Sequence, residues 1–157
     1  MATTGGRPPS PLSGICAGLA LTMVVSVPTL VIAEDWHGHP LIDQGGLGWM
    51  VPGAVVALAF LAGGALAGRA GRRAAGALTR GIGVGALAVL LLLAADIARR
   101  LLMNPTLPAG VVAYWMDGAA AALFMALVGS AIGHGWARAR IGRARPGSRA
   151  GAGPAGA

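Results

Sequence analysis

Along most of this chain apolar residues do not alternate with polar ones at the strand period, nor do they mark one stripe of a helix. They run almost without interruption through residues 13–33, 49–68, 81–102 and 111–136. A helix needs roughly 20 such residues, at about 1.5 Å each, to cross the hydrocarbon of a bilayer. Each run reaches that length. The pattern predicts an all-α membrane protein with four transmembrane helices. Pro28 and Pro52 fall within or at the ends of these runs. Membrane helices tolerate this because neighbouring helices re-satisfy the freed carbonyls.

Composition strengthens the prediction. Hydrophobic residues make up 55% of the 157 and charged residues only 11%, against about a quarter in soluble domains. So few charges do not cover the surface of a soluble fold of this size. All twelve basic residues are arginine, and the formal charge is +7. A surplus of that size can signal nucleic-acid binding, but these arginines sit at segment ends and in the C-terminal tail. Topology and anionic lipid account for them better, and no nucleic-acid partner is expected. Cys16 is the sole cysteine, so an internal disulfide is impossible.

Arginine placement predicts orientation. Arg69, Arg72, Arg73 and Arg80 surround the second loop, and Arg138, Arg140, Arg143, Arg145 and Arg149 follow the fourth run. The first loop has no arginine and holds Asp43, with Glu34 and Asp35 at its start. The second loop and both termini are therefore expected in the cytoplasm of a bacterial cell, against anionic headgroups. Arg99 and Arg100, at the outer end of the third run, depart from this rule. Residues 1–33 also fit a cleaved leader, with Val31-Ile32-Ala33 as a small-residue site. The run is long for a leader and only Arg7 precedes it, so retention is expected.

Two parts of the chain resemble one another. HPLIDQGGLGWMVPGAVVALAFLAGGALAG (39–68) and NPTLPAGVVAYWMDGAAAALFMALVGSAIG (104–133) each open on a residue before proline. Each then reaches a Trp-Met pair, Trp49-Met50 and Trp115-Met116, and a Gly-x-x-x-Gly pair, Gly64/Gly68 and Gly129/Gly133. Upstream, each half begins with another such pair, Gly14/Gly18 and Gly81/Gly85. Glycine is common enough here for such pairs to arise by chance; their matching order is the signal. The expectation is two tandem helical hairpins, about 13–68 and 81–136, parallel and related by a pseudo-twofold axis along the membrane normal. The small residues should bring helices close at the cytoplasmic side and let the bundle splay outward. Residues 1–12 and 137–157 are expected to be disordered tails, the second of them basic.

The candidate chemistry is sparse. Asp96 lies fifteen residues past Gly81, and Asp117 sits just after the Trp115-Met116 pair. With Arg99 and Arg100 they form a candidate intramembrane polar cluster. Intramembrane acids can mark a proton or cation site. Here Arg99 and Arg100 stand three and four residues after Asp96, on its own face, so local neutralisation is the plainer reading. Glu34 and Asp35 could likewise face Arg99 and Arg100 across the axis. His37 and His39, with Asp35 and Asp43, carry donor types that hold zinc or copper. The second copy has Asn104 in place of His39 and no histidine nearby, so the loop is read as a turn and no metal is expected. His134 reads as a polar residue at a helix end. No nucleophile has a base and an acid arranged around it, no phosphate loop is present, and GIGVG (81–85) opens a membrane helix. Neither catalysis nor a cofactor is expected.

The HPLID…WMVP and NPTLP segments, within four spans, resemble small uncharacterised integral membrane proteins of high-GC Gram-positive bacteria. The resemblance covers most of residues 14–135 and implies no activity. The first-helix glutamate of small drug exporters and the polar pore track of fluoride channels are missing. The sequence therefore points to a non-catalytic accessory, assembly or scaffold subunit, with a membrane-protein partner or a second copy of itself. A small transporter or channel using the intramembrane acids is the alternative. A reporter active only in the cytoplasm should work when fused after Ala157, and mature protein should not begin at Glu34 on N-terminal sequencing; a chain starting there contradicts the four-span reading.

Overall fold

A computed structural model describes residues 10–36, 47–71, 73–103 and 111–143. They form helices α1 (Pro11–Trp36), α2 (Leu47–Arg69), α3 (Ala74–Met103) and α4 (Val111–Arg143). All four are long and apolar enough to cross a membrane. The chain is a multi-pass α-helical membrane protein, as its apolar runs predict. The first and third loops, with His37, His39, Asp43 and Asn104, lie outside the described residues, as do residues 1–9 and 144–157.

Local chemistry sets the helix ends. Ser10 caps α1, its hydroxyl accepting from the Ser13 amide at 3.2 Å, and Pro11 occupies the first helical position, where no amide hydrogen is needed. Between α2 and α3 the chain reverses in a short turn closed by Gly71 N–H to the Gly68 carbonyl at 3.0 Å. α3 starts at Ala74, so Gly81 lies two turns inside it rather than at its start. α4 continues to Arg143, which makes 137–143 helical where the composition suggested tail. Arginines in the last turns of a helix favour its negative end, and their long stems let the charge leave the apolar zone.

The bundle is built from small residues inside and large ones outside. Ala59, Ala67, Ala77, Ala88 and Ala126 are buried, while Leu58, Leu90, Leu102 and Phe124 are exposed. Water would reverse this preference, but lipid chains solvate leucine as well as a protein core does, so helices associate where their backbones fit.

The closest fit joins α2 and α4. A Cβ added at Gly64 would strike the Ala126 carbonyl oxygen, and one at Gly129 would strike that of Leu61. Gly68 meets the Ser130 carbonyl in the same way, and Gly133 that of Ala65. In each case the obstacle is backbone, which no rotamer change relieves. A shift of 65 residues carries Gly64 to Gly129 and Ala126 back to Leu61, and likewise exchanges the other two contacts. Each helix thus presents the same surface to the other. The equivalence does not extend to the outer helices: α2 also packs on α3, whereas α1 packs on α2 and α3 and makes no comparable contact with α4.

α1 and α3 dock on this pair through their own glycines. Gly18 lies against the Gly63 carbonyl, and Gly14 faces Ala70. Gly81 and Gly85 rest against Ser130 and Ala126. All these contacts fall in the half of the bundle that carries Arg69, Arg73 and Arg80, called here the basic end. In the other half a core of Phe60, Ala88 and Leu92 remains beside a cavity among the helices, and this half is the open end.

These contacts should invert the usual effect of adding a methyl group. Alanine in place of a helical glycine normally adds roughly 0.5–1 kcal/mol of stability. Gly83, whose added Cβ meets nothing within 4 Å, should follow that rule as Gly83→Ala. Gly64→Ala and Gly133→Ala should instead lose about 1–3 kcal/mol through overpacking. Thermal unfolding in detergent reads the sign, and a gain of stability at Gly64 or Gly133 would contradict the contact.

Candidate functional site

At the basic end, polar groups tie the helices together once the glycines have brought them close. The Ser130 hydroxyl, fully buried, donates to the Ala77 carbonyl and so joins α4 to α3. One turn on, His134 is also buried, with Nδ1 3.1 Å from the Gly71 carbonyl oxygen. A carbonyl can only accept, so Nδ1 carries the hydrogen. His134 therefore fastens α4 to the turn between α2 and α3, more than the polar helix end its sequence position suggests. Its Nε2 is buried without a hydrogen-bond partner among the described residues, as is Nη1 of Arg80. Thr22 performs a similar task on α1: its hydroxyl lies 2.9 Å from the Gly18 carbonyl of its own helix and 3.4 Å from that of Ala59 on α2.

Beyond these contacts, two arginines lie over the ring of Trp136. The Arg140 guanidinium lies 3.7 Å from the ring centroid and that of Arg69 lies 4.6 Å from it. Arg69 ends α2, so the stack clips the basic ends of α2 and α4 together. It also gathers two positive charges around an aromatic ring, an arrangement suited to the membrane interface.

At the open end, Asp96 faces Arg99 along α3, with Nη2 4.0 Å from Oδ1. The Asp96 side chain is 14% exposed and that of Arg99 43%. The pair is that of a carboxylate held by a cation one turn away on its own helix, as the spacing predicts. Arg100 and Asp117 lie on α3 and α4, but their side chains fall outside the described residues, as do those of Glu34 and Asp35. The structure thus brings two members of the candidate cluster together. No group of three or more potential metal ligands occurs among the described residues.

Between the four helices at this end lies a half-enclosed cavity of about 550 Å³. Phe60 and Met125 form its floor, directly above the contacts of Leu61 with Gly129 and of Gly64 with Ala126. Leu30, Val56, Val89 and Leu92 are among its walls. Among the described residues no lining side chain is polar. Among the described residues the helices are thus joined by backbone contact at one end and surround a cavity toward the other.

No family model, curated protein or solved structure matches the chain.

No local spacing in the sequence marks the Trp136 stack, and its energetic coupling can be measured. A double-mutant cycle between Trp136→Ala and Arg69→Ala should return about 0.5–1 kcal/mol of interaction, the size of an exposed cation–π contact. A coupling of zero would mean that the stack does not hold α2 to α4.

Proposed function

We propose that this protein is a non-catalytic accessory, assembly or scaffold subunit of the bacterial plasma membrane. One observation carries the reading: the backbone contacts of Gly64, Gly68, Gly129 and Gly133 leave no room for a path between α2 and α4 at the basic end. A rigid bundle that presents leucine, valine and phenylalanine outward suits lateral association with a membrane-protein partner or with a second copy. In this reading the basic end faces the cytoplasm with both termini, following the arginine distribution. Arg69 and Arg140, around Trp136, support contact with anionic headgroups there. The interchange of α2–α4 contacts under a 65-residue shift supports descent from a duplicated hairpin. The resemblance to small membrane proteins of high-GC Gram-positive bacteria belongs to the same reading.

The open cavity favours one alternative. Helices joined at one end around a cavity toward the other also suit a carrier, and Asp96 stands on the stripe of α3 that lines that cavity. Two experiments separate the readings. Purification in mild detergent should recover another membrane protein, or a second copy, in fixed ratio to this chain. Liposomes containing the purified protein should pass protons no faster than empty ones. Flux that is present in the native protein and abolished by both Asp96→Asn and Asp117→Asn would establish the carrier instead.

A further inference from the structure

The cavity at the open end owes part of its volume to two glycines. Gly53 on α2 and Gly118 on α4 both line it, and a Cβ added at either meets nothing within 4 Å. They differ in this from the glycines of the basic end, which are filled by a neighbour's backbone. Every described lining residue, from Leu30 on α1 to Met125 on α4, lies within the four apolar spans. The space is therefore at hydrocarbon depth.

Water does not suit it. A buried water needs two to four polar partners, and none of the described lining residues offers a polar side chain. Empty apolar space destabilises a fold in proportion to its volume. A cavity of about 150 Å³ already binds benzene, and this one is several times larger, within the usual range of ligand sites. The remaining occupants are a partner's helix and a hydrocarbon chain. All four helices contribute to the lining, so an occupant sits among them and not against their outer face. A partner's helix, about 10 Å across, would have to part the bundle to enter. A flexible chain, one methylene wide, would not.

The rim matches such a ligand. Val89 and Leu92 line the cavity, and Asp96 and Arg99 continue their stripe of α3 outward by one turn and two. An amphiphile with its chain among Phe60, Leu92 and Met125 would bring its polar end to the level of this charged pair. We propose that the cavity is a lipid-chain site, which takes one hydrocarbon tail of a membrane phospholipid between the helices. The site stands apart from the scaffold reading, since the chain would bind with or without a partner protein.

The test fills the cavity without disturbing the backbone contacts. The full chain is reconstituted in vesicles of phosphatidylethanolamine and phosphatidylglycerol, extracted in mild detergent and weighed intact by native mass spectrometry. The native protein should retain one phospholipid, and so should Gly83→Leu, a control on α3 that lines no part of the cavity. The double variant Gly53→Leu/Gly118→Leu should lose that retained lipid at least tenfold while melting no lower than the native protein. Equal retention in the filled variant, no retained lipid in the native protein, or loss of a co-purifying protein chain in place of lipid would each overturn the proposal. If the double variant does not fold, delipidated native protein decides the matter. Its Tm must rise when phosphatidylglycerol is added, because a ligand bound only by the folded state stabilises it; no rise overturns the site.

Discussion

The architecture depends on one contact, the approach of α2 and α4 backbone to backbone through Gly64, Gly68, Gly129 and Gly133. In water a bundle this apolar would collapse on its large side chains. In lipid those side chains gain little by leaving their surroundings, and close packing of small residues decides where helices meet. The rest follows from that placement. With α2 and α4 this near, α1 can seat Gly18 against Gly63, and α3 can set Gly81 and Gly85 against Ser130 and Ala126. The Ser130 hydroxyl and the His134 ring then reach carbonyls on neighbouring segments, which satisfies polar groups that hydrocarbon cannot.

The same contact explains the asymmetry along the membrane normal. Glycine carries no side chain to hold helices apart, so the basic end closes. Toward the open end the pair gives way to Phe60 and Met125, which line the cavity. Above them Gly53 and Gly118 leave that space unfilled. Residues of one type thus act in opposite ways: where a neighbour's backbone is in reach they close the bundle, and where none is they leave it hollow. Charge follows the division, with Trp136 clasped by Arg69 and Arg140 at the closed end and the Asp96–Arg99 pair at the open one.

The four helices were legible because an unbroken apolar run of membrane length has essentially one physical reading. The pairing of Asp96 with Arg99 was legible from its spacing. Other features were not. Gly63 belongs to none of the singled-out pairs, yet it meets Gly18, because contact depends on how each helix is rotated and strings of small residues leave rotation undefined. Ser130, within GSAIG, gave a faint sign: a hydroxyl between two packing glycines has only a neighbour's carbonyl to turn to. The Trp136 stack joins residues 67 apart, a distance over which no periodicity speaks. The cavity is made of missing side chains, and Gly53 and Gly118 look in sequence like any other glycine. The extension of α4 to Arg143 was obscured by tail-like composition, although alternating alanine and arginine suit a helix leaving the membrane.

The most direct test of the account is solid-state NMR of the protein in bilayers, labelled at glycine Cα and alanine carbonyl carbons. The account predicts through-space correlations between Gly64 and Ala126 and between Gly133 and Ala65, both lost when the α2 and α4 segments are labelled in separate molecules. Absence of these correlations in uniformly labelled protein, with the helices intact, would contradict it.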